Sequence, residues 1–295
     1  MVIGYIGLGK MGKNMATRIM GKGYEVFGFD ANEDARKFGE KEGLRVFSSI
    51  AEMAKRLSAP RIVWIMVPHN SVSYVLENLT THLSEGDFII DGGNSFYKDS
   101  VRRSKELNAK GIKFLDVGVS GGPGGAKNGS CLMVGGAKED YKKFEPLFRD
   151  LSVEGGYGYM GSSGAGHFVK MIHNGIEYGM MQSLAEGFTI LKNSEFNLRL
   201  ENIADLYNHG SVIESRLAGW LKEAFEEFDE DMEGVSGIVG KSGEGEWTSA
   251  TAKEMAVAVP VIDASVKFRI DSIKNPSYTG KLLSAIRNIF GGHKA

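Results

Sequence analysis

A short apolar run, Val2 to Ile6, leads into Gly7-Leu8-Gly9-Lys10-Met11-Gly12 and then into a helical pattern from Lys13 to Met20. Three glycines at this spacing between a strand and a helix constrain the chain more than any other feature. They let backbone N–H groups and the positive end of the helix face an anion such as a pyrophosphate, with Gly9 allowing close approach and Gly12 close packing of helix on strand. Further apolar runs at Glu25 to Phe29, Ile62 to Met66 and Phe88 to Ile90 are each followed by turn residues and a helical pattern. Strands alternating with helices predict a parallel sheet with crossovers on its faces, an α/β Rossmann-type doubly wound sheet. Gly7, Pro68, Asp91, Gly92 and Gly93 fall just past strand ends, the edge where such sheets bind ligands.

An acid, Asp30, closes the second strand. From that position a carboxylate accepts hydrogen bonds from the adenosine ribose and repels a 2′-phosphate, which favours NAD and leaves NADP as the lesser option. The alternative is a helix N-cap ahead of a helix over 32–41, with Arg36 near enough to blunt any preference.

From about Gly164 strand-like runs stop, and a helical period extends from Gly166 to Asn193 without proline. Such a helix is too long for a single crossover and is expected to open an all-α C-terminal domain, giving domains of 1–163 and 164–295. Further helices are expected over 199–207, 211–227, 248–268 and 281–290. Within the long helix, Lys170, His173, Asn174, Glu177 and Tyr178 fall on one stripe, while Val169, Met171, Ile172, Ile176, Met180 and Met181 surround it. Such a stripe lines a cleft. There a desolvated lysine can act as a base and a shielded carboxyl as an acid; the alternative is a Lys170–Glu177 ion pair between helices. His173 by itself reads as an interior histidine.

Glycine accounts for 40 of the 295 residues, about twice the usual share of roughly 7 %. Two more of these clusters, Asp91-Gly-Gly-Asn94-Ser95 and Val119-Ser120-Gly121-Gly122-Pro-Gly124-Gly125-Ala126, follow strands, the second one Phe114 to Val117. Both can bring a polyhydroxylated ligand against backbone and side-chain donors, or serve only as turns, and Lys127 and Asn128 read as solvated loop. The near balance of 35 Lys+Arg against 37 Asp+Glu argues against a nucleic-acid partner. A lone cysteine, Cys131, and no apolar stretch or leader point to a cytoplasmic protein with no membrane partner. The six histidines show no ligand spacing with carboxylates or Cys131, so no metal is expected.

Together these segments resemble the 6-phosphogluconate dehydrogenases, the decarboxylating enzymes of the pentose phosphate route. The resemblance spans nearly the whole chain: Gly7 to Gly12, Asp91 to Ser95, Val119 to Gly122, Lys170-Met-Ile-His-Asn-Gly-Ile-Glu-Tyr178, Gly243-Glu-Gly-Glu-Trp-Thr248 and Arg287-Asn-Ile-Phe-Gly-Gly-His293. The length resembles the family's short form. The resemblance implies Lys170 as general base and Glu177 as general acid. It implies Asn94, Ser120, Gly121, Gly122, His173 and Asn174 for the sugar acid, and Tyr178, Arg269, Arg287 and His293 for its phosphate. The cofactor set it implies is Gly7, Leu8, Gly9, Lys10, Met11, Gly12, Asp30, Val67 and Asn94. In the family the last arginine and histidine reach a neighbouring subunit's site, so a homodimer or homotetramer is implied. By sequence alone the nine residues from Arg287 to Ala295 read as a frayed tail, and Arg269 reads equally well as a surface charge.

Two departures stand out. Longer members carry a lysine just before the Gly-x-Gly-x-Trp string; here Ser242 stands there and Lys241 one place earlier. Longer members tend to carry Asn-Arg after the second strand for NADP, and Phe29-Asp30-Ala31-Asn32 lacks that arginine. The alternatives are another β-hydroxyacid dehydrogenase or imine reductase of the same architecture, or a non-catalytic NAD-binding protein.

Overall fold

A computed structural model describes residues 1–241 and 243–293. The chain divides into two compact units, Met1–Lys170 and Met171–Ala295. Among the described residues, no helix is long and apolar enough to cross a membrane.

The first unit alternates strands and helices: β1 (Val2–Ile6), α1 (Lys10–Gly21), β2 (Glu25–Phe29), α2 (Glu33–Lys41), β3 (Arg45–Val46), α3 (Ile50–Arg56), β4 (Ile62–Ile65), α4 (Val72–Thr80), β5 (Phe88–Asp91), α5 (Tyr97–Asn108) and β6 (Lys113–Ser120). Three further elements, α6 (Gly122–Asn128), β7 (Ser130–Gly136) and α7 (Lys138–Leu151), precede β8 (Ser152–Gly161). The strand order is β3-β2-β1-β4-β5-β6-β7-β8. Strands β1 to β6 run parallel, whereas β7 pairs antiparallel with β6 and β8 parallel with β7. The order reverses between β1 and β4, which places the ligand crevice of a doubly wound sheet at the carboxyl ends of those two strands.

Alternation along the central strands feeds two cores, one on each face. Tyr5, Trp64 and Ile90 pack with Met15 and Ile19 of α1 and Phe144 and Phe148 of α7. Val63, Ile65 and Ile89 pack with Met53 of α3 and Val72, Val75 and Leu79 of α4.

Strands β7 and β8 were not expected. Residues 152–161 carry four glycines and no apolar alternation, and β8 is held by pairing along the sheet. Lys127 and Asn128, read as loop, close the short helix α6.

A long helix, α8 (Ala165–Lys192), continues into the second unit. It is followed by α9 (Leu200–Tyr207), α10 (Arg216–Phe228), α11 (Glu244–Glu254), α12 (Pro260–Asp271) and α13 (Tyr278–Gly291). The single helix expected over 248–268 is two. Pro260 occupies the first turn of α12, where its missing N–H costs nothing, and it keeps Val259 out of the helical region at φ −129° and ψ 57°. The start expected at Ser211 moves to Arg216 because Ser215 is the N-cap, its hydroxyl accepting from Ala218 N–H at 3.1 Å. The tail expected to fray is helical through Gly291, because Leu282, Leu283, Ala285 and Ile286 lie in the core of this unit with Met181, Phe188 and Leu221.

Trp64 lies fully buried in β4 under Gly92, where any Cβ would collide with its indole. Trp64→Ala is expected to cost about 3–5 kcal/mol and to lower the melting temperature by more than about 6 °C. Thermal unfolding followed by circular dichroism checks this; a shift under about 2 °C would contradict the packing.

Candidate functional site

At the carboxyl ends of β1, β2 and β4 the first unit holds a cavity of about 570 Å³, lined among others by Gly7, Gly9, Asp30, Ala31, Val67 and Pro68. The glycine turn is tight: a Cβ on Gly7 would collide with the Met66 carbonyl, and one on Gly12 with the Gly7 carbonyl. At Gly9, by contrast, a Cβ would point into open space. Helix α1 starts there with no side-chain cap from Gly9 and no acid in its first turn, so the positive end of its dipole suits an anion. Leu8 is buried beneath the turn, Met11 is half-buried and Lys10 is exposed. The turn has the shape and polarity for a dinucleotide's pyrophosphate.

Asp30 is not the N-cap of α2; Asn32 is, its side chain accepting from Asp34 and Ala35 N–H. Each Asp30 carboxylate oxygen instead accepts a backbone N–H, from Leu8 at 2.6 Å and from Asn32 at 2.7 Å. The acid therefore latches the glycine turn to the end of β2 while keeping lone pairs for a ribose. The Arg36 guanidinium donates to the carbonyls of Asp30 and Ala31, at 2.7 and 3.1 Å, rather than to the carboxylate.

The next loop along this edge is held from within. Asp91, buried at the end of β5, accepts from Gly93 N–H at 3.1 Å and from the Ser95 hydroxyl at 2.9 Å. Arg103 of α5, also buried, lies 3.7 Å from that carboxylate and donates to the His69 carbonyl at 3.4 Å. This pair joins the loops after β4 and β5, which carry Val67 and the half-buried Asn94. Nothing in the spacing of Asp91 and Arg103 announces it. At the end of β6, Gly121 and Gly122 take φ of +126° and +62°, conformations that exclude other residues beside the half-buried Ser120.

The burial of α8 departs from the sequence reading at two apolar positions. Lys170 and Asn174 are each 8 % exposed and Tyr178 is 6 %, whereas the apolar Ile176 and Met180 are 53 % and 45 % exposed. Three members of the polar stripe are buried, His173 and Glu177 are half-buried, and part of the apolar surface faces outward. In the second unit, His173 Nδ1 lies 3.1 Å from Asn174 Oδ1 and 3.7 Å from Glu177 Oε2, so the three form one group.

One helical turn on, Arg269 of α12 lies over the Tyr178 ring, its guanidinium carbon 3.4 Å from the ring centre. It is buried, not the surface charge that its position in the sequence equally allowed, and its Nε has no hydrogen-bond partner among the described residues. Arg287 of α13 is also buried, close to Gly240, whose carbonyl accepts from Arg269 Nη1 at 3.4 Å. It joins this group through its own chain. Burial pushes the Arg269 guanidinium down to about 10, and it lowers Arg287 as well. Burial raises the Tyr178 phenol, with the Arg269 charge opposing it. Arg269 on the aromatic ring and Arg287 nearby make a buried, doubly cationic group.

The Gly243 to Thr248 string builds the wall of this group. A Cβ on Gly245 would stand 2.6 Å from the Tyr178 ring, and one on Gly175 would stand 2.6 Å from Thr248. The Thr248 hydroxyl donates to the carbonyls of Met171 and Glu244, both at 2.9 Å. Lys241 is ion-paired to Glu246 at 2.8 Å, and Ser242 lies outside the described residues. His293 is exposed past the end of α13, its carbonyl accepting from Asn288 Nδ2 at 2.7 Å.

Two family models match this chain. Residues 2–161 match the NAD binding domain of 6-phosphogluconate dehydrogenase, and residues 166–277 match the 6-phosphogluconate dehydrogenase C-terminal domain. A candidate 6-phosphogluconate dehydrogenase of Bacillus subtilis (strain 168), YqeC, is 47% identical over 99% of this chain and 98% of its own. An NAD(+)-dependent, decarboxylating 6-phosphogluconate dehydrogenase of Haloferax volcanii is 38% identical over 100% of this chain and 98% of its own. Among solved structures, the Plasmodium falciparum 6-phosphogluconate dehydrogenase superposes with a TM-score of 0.81 at 30% identity, covering 93% of this chain and 62% of that one.

Asp30→Ala is expected to raise the NADP-to-NAD ratio of kcat/KM by about tenfold through loss of charge repulsion. Because Leu8 N–H loses its acceptor, affinity for both cofactors should also fall. Steady-state kinetics with each cofactor checks this; an unchanged ratio would leave Asp30 only its role in holding the turn.

Proposed function

This chain belongs to the 6-phosphogluconate dehydrogenase family, and from that premise we propose that it oxidatively decarboxylates 6-phosphogluconate to ribulose 5-phosphate and carbon dioxide, with NAD as its preferred cofactor. The observation that carries this reading is the buried polar stripe of α8. A lysine, an amide and a phenol follow one another along a helix side that hydrophobic packing alone would fill with apolar residues, with the half-buried Glu177 carboxyl group beside them.

The N–H groups of Gly7 to Gly12, with Asp30, Val67 and Asn94 along the same edge, would hold NAD, whose nicotinamide would supply the acceptor for the hydride from carbon 3. Neutral Lys170 takes the proton from the hydroxyl on that carbon, leaving a β-keto acid. As an ammonium, Lys170 then stabilises the charge that develops on the ketone oxygen when carbon dioxide departs. Glu177 protonates carbon 1 of the resulting enediolate, which leaves the ketone. Asn94, Ser120, Gly121, Gly122, His173 and Asn174 hold the hydroxyls and carboxylate. Tyr178, Arg269 and Arg287 hold the phosphate, with His293 closing over it.

The protein works as a homodimer or homotetramer in the cytoplasm. Ile176, Met180, Val261, Ile270 and Ile273 leave apolar surface on the second unit for a second copy, and the single thiol suits a reducing compartment. Because α13 packs in the core of its own unit, Arg287 would reach a neighbour's site only if the whole helix were exchanged.

Spectrophotometric assay with NAD and 6-phosphogluconate tests the reaction, and Lys170→Ala tests the base. The variant should bind NAD normally and turn over at least about 1,000-fold more slowly; near-normal turnover would remove Lys170 from the mechanism. Arg269→Met should raise KM for 6-phosphogluconate by roughly 10- to 100-fold with little change in KM for NAD. An unchanged substrate KM would exclude Arg269 from the phosphate site.

A further inference from the structure

Strand β6 carries an acid, Asp116, that the mechanism above does not use. Its side chain is fully buried between Leu115 and Val117, where a carboxylate is tolerated only if it is well hydrogen-bonded. Its partners belong to the beginning of α8: Gly164 N–H donates to Oδ1 at 2.6 Å and His167 N–H to Oδ2 at 2.9 Å. Those N–H groups have no acceptor inside the helix, and the helix dipole favours an anion beside them. The same turn is tied a second time, since His167 Nδ1 lies 2.7 Å from the Ser100 hydroxyl of α5. With an anchor on β6 and another on α5, the first turn of α8 is free neither to slide nor to rotate.

The helix sits unusually close to the strand. A Cβ on Gly166 would collide with the carbonyls of Asp116 and Met133, and one on Gly135 would stand 2.7 Å from Asp116 Oδ1. A Cβ on Gly118 would collide with the Cβ of Lys170 itself. Side chains alternate along a strand, so positions 116, 118 and 120 share one face. In order along it, β6 therefore presents the clamp on α8, the seat of Lys170, and Ser120.

We propose that Asp116 and Gly118 are positioning residues, through which β6 sets the depth and rotation of Lys170 relative to Ser120. The inference rests on Lys170 being the general base. A displacement of about 1 Å at such a group is enough to slow chemistry by roughly 100-fold.

Two variants test it in the full-length chain. Asp116→Asn turns a donor toward one of the α8 N–H groups, and Gly118→Ala leaves the clamp intact but presses on Lys170. For each, kcat and KM for 6-phosphogluconate, the NAD dissociation constant, the folded fraction and the isotope effect with substrate deuterated at carbon 3 are measured. Both should lose about 10- to 100-fold in kcat per folded chain, keep KM and NAD affinity within about threefold, and show a larger isotope effect as the chemical step becomes limiting. A purely structural role would lower the melting temperature while leaving kcat per folded chain and the isotope effect unchanged, and that result would overturn the proposal. If Asp116→Asn does not fold, Gly118→Ala decides. Lys170→Ala run in parallel separates the two levels. If it is active, the base assignment fails and the inference with it. If it is inert while both positioning variants keep kcat within about twofold, the inference alone fails.

Discussion

A helix normally buries its apolar side, and α8 departs from this over its first turns: Lys170, Asn174 and Tyr178 are buried alongside Met171, while Ile176 and Met180 are exposed. Burial of polar groups opposes folding unless each is hydrogen-bonded or paired. The helix must therefore be held by something other than the hydrophobic effect along that stretch. At its start, two backbone N–H groups reach the buried carboxylate of Asp116. Further on, the Thr248 hydroxyl takes the Met171 carbonyl, and the Arg269 guanidinium covers the Tyr178 ring. Apolar packing resumes at Met181, Ala185 and Phe188, which anchor the remainder in the core of the second unit.

Close approach is the means by which these polar contacts form, and it accounts for much of the glycine excess. Gly7 and Gly12 let the cofactor turn close, Gly118 and Gly166 let α8 meet β6, and Gly175 and Gly245 let α11 meet α8. A methyl group in place of hydrogen would meet a backbone carbonyl at Gly7, Gly12 and Gly166, and the side chains of Lys170, Thr248 and Tyr178 at Gly118, Gly175 and Gly245. Most of these glycines are needed for the space they leave and not for turn conformation.

Much of this was readable from residue order. The β1 turn, Asp30 at the end of β2 and the long helix beginning near Gly164 follow from local rules of periodicity and turn chemistry. So did the membership of Lys170, His173, Asn174, Glu177 and Tyr178 in one stripe. The exposure of Ile176 and Met180 did not follow, because burial of α8 is decided by elements remote in sequence. Arg269 and Arg287 looked like a surface charge and a frayed end for the same reason: their partners come from other helices. Strand β8 lacked a pattern because its order comes from pairing with β7. The break before α12 was legible in Pro260, and Asp116 offered a signal too, since an acid in the middle of an apolar strand must find donors somewhere.

Lys170 and Glu177, as proposed, carry out an oxidation coupled to loss of carbon dioxide. The most direct measurement uses 6-phosphogluconate labelled with carbon-13 at carbon 1, with NAD, following labelled carbon dioxide by NMR and NADH by absorbance in the same sample. One equivalent of labelled carbon dioxide is expected for each NADH formed, with ribulose 5-phosphate as the sugar product. NADH formed while the label stays in a sugar acid, or no NADH at all, would contradict it.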